Sequence, residues 1–439
     1  MNSTSPYFAF LRYCLGKKRN MSRVIAGMNW QALYSFASKQ ALLGLCFDGI
    51  ERLGEEYPEE LRLNPIGREL LMTWMGKAQQ IRRQNMKVNV VASKLYSMLR
   101  EDGLRCCILK GQGNALMYSN AYSRNPGDID VWVNASREQI TEYAKTHFEI
   151  GNDIRFQHLE TSMDGVPVEL HFFPCTMNNP IYHVRLQKWF KRNADLQCSN
   201  VVSLPDGIGE IAIPTTAFNV VYQLTHLYHH FFDEGIGMRQ IIDYFLVVND
   251  FSKNVFLNND LSNHPVNFSN HPVPLSKEGS TFSPSPSSSG SGDVTAPSRC
   301  SEPLRSKDGG PKRSSPDCAG WDRRDAIGDM TSVTAFTDSS ATAARSSSTA
   351  IDRVQEELKE LGLWKFAGGI MYIMQEVFGM PASRLIVPPN EKYGKFVLNE
   401  VLEAGNFGKH EARNRFGRLK LGHNLQRVYR DIRLVKFFP

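Results

Sequence analysis

The segment Cys106–Val133, CCILKGQGNALMYSNAYSRNPGDIDVWV, constrains the fold more than any other part of this 439-residue chain. It opens on the apolar run Cys106 to Leu109, which has the length and character of a buried strand. Lys110-Gly111-Gln112-Gly113 reads as a glycine-bearing turn with one lysine, Asn114 to Tyr118 as a short helix, and Pro126-Gly127 as a turn. Asp128-Ile129-Asp130-Val131-Trp132-Val133 then reads as a second strand. Side chains alternate along a strand, so Asp128 and Asp130 share one face, while Ile129, Val131 and Val133 share the other and form the core side.

Two carboxylates side by side repel each other unless a cation lies between them. Hard divalent cations such as Mg²⁺ take oxygen ligands, few of them carboxylates, and draw the rest from water and substrate phosphates. A glycine turn with a nearby lysine supplies backbone N–H groups and a point charge for such phosphates. The segment therefore suits metal-dependent phosphate chemistry.

A strand, a glycine turn, a short helix and a D-x-D strand, here L-K-G-x-G-x-A-L followed by R-x-x-G-D-I-D-V, resemble the polymerase-β-like nucleotidyltransferase superfamily. The form is most similar to a bacterial branch of uncharacterised nucleotidyltransferases and to the nucleotidyltransferase toxins of abortive-infection systems. Lys110-Gly111-Gln112-Gly113 departs from the usual Gly-Ser pair, and the gap from glycine to aspartate is longer than in the polymerases. The resemblance implies an α+β fold: a polymerase-β-like nucleotidyltransferase core with a small mixed sheet, flanked by helical N- and C-terminal regions.

Two further strands, Ile154 to Met163 and Val166 to Phe172, are expected to meet in a hairpin at Asp164-Gly165. Glu169 and His171 share the polar face of the second. The superfamily carries a third carboxylate on the strand beside D-x-D, and the resemblance gives that role to Glu169. Taken alone, Glu169 would be a solvent-facing residue of an edge strand, which Pro167 suits. Asp128, Asp130 and Glu169 are then the expected catalytic and metal-binding residues, holding two Mg²⁺ ions with Mn²⁺ as a substitute. Lys110, Gly111, Gly113 and Arg124 are the expected contacts of an NTP triphosphate.

Asn219 to Asn249 contains His226, His229 and His230, with His226 and His230 on one helix face, but it lacks the glutamate of H-E-x-x-H. Arg239 and Asp243, also four apart, read as a helix ion pair. Because similar helices of the family carry the same pattern, His230, Arg239 and Asp243 are expected on a helical wall over the nucleotide.

The expected organisation is a helical region over 1–95, a nucleotidyltransferase core over 96–200, a helical domain made of 201–250 and 351–439, and a disordered insertion over 251–350. That insertion is rich in Ser, Pro, Gly, Asn, Asp and Thr, and it buries too little apolar surface to offset its ordering entropy. Helical spacing marks Trp30, Leu33, Ala37 and Ala41, and again Val91, Leu95, Met98 and Leu99. Eight scattered cysteines without zinc spacing indicate reduced thiols. The absence of a secretory signal or a long apolar run leads to the expectation of a cytoplasmic protein without a membrane span. A formal net charge of +6 suits anionic substrates. A basic stretch from Lys409 to Lys436 reads as solvated helix faces or as a polyanion-binding surface.

The expected reaction is transfer of an NMP from an NTP to a hydroxyl of a small molecule, a protein or an RNA end, with release of pyrophosphate. Two alternatives stand beside it. One is an inactive nucleotide-binding regulator on the same fold, and the other is a nucleic-acid-binding protein that uses the basic stretch.

Overall fold

The computed structural model describes residues 5–150, 154–259 and 349–406. These residues fall in one compact unit. Asp164 and Gly165, at φ of 51° and 72°, form the tight turn that joins β3 (His158–Met163) to β4 (Val166–His171). The left-handed conformation at both positions matches the twist of antiparallel strands, which is why an Asp-Gly pair closes them. With β1 (Cys106–Leu109) and β2 (Ile129–Val133) they build a mixed sheet in the order β1-β2-β4-β3. β2 and β4 run parallel with Asp130 opposite Glu169, and the other two pairings are antiparallel.

Both faces of the sheet are covered. Ile108, Ile129, Val131, Val133, Val168 and Leu170 pack beneath it against the end of α6 (Arg68–Glu101) and against α8 (Arg137–His147). The N-terminus of α8 is fixed by a capping box between Ser136 and Gln139. On the other face Trp132 is buried and stacks on Phe218, with ring centroids 6.1 Å apart. That face also carries Asp130, Glu169 and His171, so the polar site lies inside a covered layer.

The N-terminal helices are α1 (Pro6–Cys14), α2 (Ser22–Ala26), α3 (Trp30–Lys39), α4 (Leu43–Glu56) and α5 (Pro58–Leu63). α7 (Gly111–Ala115) follows β1, and α9 (Pro180–Ser199) follows β4. α10 (Thr216–Asp233), α11 (Met238–Asn259), α12 (Ala350–Glu360), α13 (Trp364–Glu376) and α14 (Glu391–Ala404) complete the helical layer. The buried Gln40 ties its ends together: it donates to the Val401 carbonyl at 3.0 Å and accepts from the Met238 N–H at 2.8 Å.

Several sequence boundaries move. The division expected at residue 95 falls inside α6, whose Val91, Leu95 and Leu99 pack under the sheet, so the helix belongs to both regions. Ala41, expected on a helix face, has φ of 56° and lies beyond the end of α3. The region expected to be helical from 201 begins with a small hairpin, β5 (Val201–Ser203) and β6 (Glu210–Ala212), around Pro205-Asp206-Gly207. α11 runs to Asn259, and Phe251, Ser252 and Val255 are buried, so the first residues assigned to the insertion belong to the core. The rest of the expected insertion, residues 260–348, and the basic stretch lie outside the described residues. No helix among the described residues is long and apolar enough to cross a membrane.

Candidate active site

The Asp130–Glu169 register brings two acids from neighbouring strands side by side, and Asp128 precedes β2 on the same face. One ligand atom from each of Asp128, Asp130 and Glu169 lies within 4.8 Å of the others. Asp128 and Asp130 line a cavity of about 430 Å³, together with Lys110, Gly111 and residues of α10 and α11.

Asp130 is buried and accepts two charged bonds, from Lys110 Nζ at 3.0 Å and from His171 Nε2 at 3.0 Å. Burial works against its charge, but the Lys110 ammonium and the His171 ring together hold its carboxyl below the usual range. For the exposed Asp128 the Lys110 charge is outweighed: the charge of Asp130, with partial desolvation, pushes it up to about 6. His171 also meets Glu169 Oε2 at 3.1 Å. Burial disfavours its charged form, yet the two carboxylates raise it to about 9, so the ring is cationic at neutral pH. Across the hairpin, burial is the main influence lowering His158, whose Nδ1 lies 3.4 Å from the same Glu169 oxygen.

Lys110 comes directly after β1 at φ 53° and ψ −132°, the mirror image of extended backbone and a conformation normally left to glycine. Its ammonium reaches Asp130 on one side and His226 Nε2, at 3.0 Å, on the other. Burial and the nearby Lys110 charge lower His226 well below its ordinary value, so its neutral ring accepts a hydrogen bond from the ammonium. α7 begins at Gly111 itself, so the two glycines lie in its first turn and not in a preceding loop. A Cβ at Gly111 would stand 3.9 Å from the Asp128 carbonyl, whereas one at Gly113 would press on Ile213 at 3.0 Å. Gly111 therefore opens onto the cavity, and Gly113 packs toward the β5–β6 side.

Arg124 is committed to Asp243 of α11. Its Nε lies 3.0 and 3.2 Å from the two carboxylate oxygens, and its Nη2 lies 2.9 Å from Oδ2. Tyr118 donates to Asp243 Oδ1 at 2.7 Å, and Arg239 stands 3.9 Å from Oδ2. Burial opposes the Asp243 charge, but Arg124 outweighs it and keeps the carboxyl below its ordinary value. Asn85 of α6 donates to the carbonyls of Tyr122 and Arg124 at 2.8 and 2.7 Å, which fixes the loop leading into β2. Arg124, Arg239 and Asp243 line the cavity, while His230 lies behind His226 at a ring distance of 4.3 Å.

Sequence reasoning did not assign roles to several residues of this neighbourhood. His171 was legible as the polar-face neighbour of Glu169, and His226 as the first member of the helix histidines. Asn114 and Gln223 line the cavity and exchange hydrogen bonds at 3.1 and 2.6 Å. They carried no signal, because their pairing joins α7 to α10 across more than a hundred residues.

A family of uncharacterised nucleotidyltransferases matches residues 26–262, more than half of the chain, and the chain belongs to it. Nucleotidyl transfer is the general reaction this membership supports. An antigenic nucleotidyltransferase-like protein from Paracoccidioides brasiliensis is similar at 16% identity, over 36% of this chain and 74% of that one, with a TM-score of 0.25. A comparison with curated proteins found no match.

Proposed function

We propose that the cavity binds an NTP with Mg²⁺ and that the protein transfers its NMP to a hydroxyl group, releasing pyrophosphate. The observation that carries this reading is the convergence of Asp128, Asp130 and Glu169 within 4.8 Å beside a polar cavity. The donor set fits a hard cation. All three groups are carboxylates, and the repulsion by which Asp130 raises Asp128 supports a cation between them. Bound between these acids, Mg²⁺ would neutralise the triphosphate and polarise the acceptor hydroxyl. Mn²⁺ has the same ligand preference and is expected to substitute.

The chain's own groups supply the rest. The bond that forms joins the acceptor oxygen to the α-phosphorus, and the bond that breaks joins that phosphorus to the leaving pyrophosphate. Glu169 would take the hydroxyl proton. Lys110 offers a fixed cation to the phosphates, and Gly111 leaves the backbone beside Asp128 unobstructed. Arg124, Arg239 and Asp243 shape the opposite wall, where the nucleoside end would lie.

The test is incubation of the full chain with each labelled NTP, Mg²⁺ or Mn²⁺, and a cell extract. A labelled acceptor that vanishes with Asp128→Asn is the expected result. Tight NTP binding without label transfer under any of these conditions would favour the regulator. The three converging acids weigh against that reading, since a pure binding protein has no need of them.

A further inference from the structure

Beside the three acids lies a second donor set of different chemistry. His158 and His171 are directly opposite each other on β3 and β4, and Glu169 lies two residues before His171 on the same sheet face. One donor atom from each of the three lies within 4.8 Å of the others. His171 Nε2 is 3.1 Å and His158 Nδ1 is 3.4 Å from the one oxygen Glu169 Oε2. Bonds of about 2.0–2.1 Å at a tetrahedral angle place neighbouring donors roughly 3.3 Å apart. The two edges that meet at Glu169 Oε2 therefore have the length of a zinc-like coordination sphere.

Hydrogen bonding accounts for His171 in the metal-free protein, where Nε2–H donates to two carboxylates and a metal bound at Nε2 would release that proton, but not for His158. Neither of its buried ring nitrogens has a hydrogen-bond partner, and Glu160 stands 3.6 Å from Nε2. A buried imidazole without partners bears an uncompensated desolvation cost unless something binds it. The other nitrogen of His171 faces Gln157 Nε2 at 3.3 Å, and that amide also donates to the Pro174 carbonyl at 3.0 Å, which fixes its orientation.

We infer that His158, His171 and Glu169 form a binding site for a divalent transition-metal ion of the Zn²⁺ or Co²⁺ type. Two imidazoles and a carboxylate select such ions over Mg²⁺, which prefers an all-oxygen set. Glu169 is shared with the three-acid cluster, so the two sites adjoin. The inference does not depend on the transfer reaction, because the donors are in place whether or not a nucleotide is processed.

Co²⁺ is the probe, since its visible absorption bands report nitrogen ligation. Titrated into the full chain in excess Mg²⁺, it should bind at one equivalent and develop these bands, and Zn²⁺ should displace it. His158→Ala should weaken Co²⁺ binding by about tenfold or more, and Asp128→Asn should leave it unchanged. Should His158→Ala lose its fold by circular dichroism, His158→Gln carries the same expectation. Absence of the Co²⁺ bands in the wild-type protein, or an unaltered titration in the folded His158 variant, would overturn the site. Loss of NMP transfer in Asp128→Asn with Co²⁺ binding intact would separate this site from the transferase reading.

Discussion

Arg124–Asp243 and Lys110–Asp130 are both buried ion pairs beside one cavity, but they are satisfied to very different degrees. In the first, a planar guanidinium meets both oxygens of its carboxylate, Tyr118 adds a hydroxyl, and the loop carbonyls are tied down by Asn85. In the second, a lysine in a glycine-like backbone conformation divides its charge between Asp130 and His226, while the neighbouring Asp128 is pushed up to about 6. The Arg124–Asp243 pair of the cavity wall is thus satisfied within the protein, whereas three acids crowd the floor. A site that must accept cations and phosphates is expected to keep such crowding where they bind and to brace the surrounding elements independently.

The largest effect should come from breaking the finished pair. Asp243→Asn leaves the Arg124 guanidinium buried without a counter-charge, and loss of one partner of a buried pair costs about 3–5 kcal/mol. A clear fall in the melting temperature of the nucleotide-free protein is expected. Arg124→Lys should also lose stability, because an ammonium cannot reproduce the two-pronged contact. Wild-type melting in both variants would mean that the wall is not structural.

On the floor, the two aspartates should behave unequally. Asp130→Asn deprives Lys110 and His171 of their common counter-charge, and charged hydrogen bonds of this kind contribute about 1.5–3 kcal/mol each. Transfer and stability should therefore fall together. Asp128→Asn removes an exposed charge that repels its neighbour, so transfer should drop by at least about a hundredfold while the melting temperature holds or rises. Equal destabilisation in the two variants would show that the floor is braced like the wall.

The pH dependence should carry the same signature. The folded carboxyl of Asp128, at about 6, lies above the unfolded value of about 3.9, so the folded state binds that proton more tightly. Its contribution to stability is fully present below about pH 4 and is lost as the pH rises through about 6. Melting curves from pH 4 to 7 should show this decline in the wild type and not in Asp128→Asn. Added Mg²⁺ should offset the loss at pH 7. A wild-type profile parallel to that of the variant would remove the argument for repulsion at the floor.

The fold was legible where local rules decide it. The Asp164-Gly165 hairpin, the Ser136 capping box and the alternation around Asp130 each follow from neighbouring residues, and the expected small mixed sheet between helical regions is what the structure shows. The region boundaries were less legible, because α6 serves two parts of the core and Phe251 is apolar at the edge of a polar stretch. At the site, the spacing of the two aspartates was readable, but the partners of Lys110 and Arg124 were not. His226 and Asp243 reach them from more than a hundred residues away, and no periodicity encodes such a contact.

The smallest expected effect concerns the backbone at Lys110. At φ 53° and ψ −132° a residue with a Cβ is strained by about 1–3 kcal/mol, and glycine is not. Lys110→Ala and Lys110→Gly both remove the ammonium, so they should weaken NTP binding alike by isothermal titration. They differ in the strain: alanine keeps it and glycine releases it, at some cost in unfolded-chain entropy. The glycine variant should therefore unfold at the higher denaturant midpoint, its unfolding free energy greater by roughly 1 kcal/mol after that entropy is counted. Equal midpoints would show that Lys110 relaxes out of this conformation once its ion pair is gone. The strain would then be imposed by Asp130 and His226 holding the side chain, not by the turn from β1 into α7.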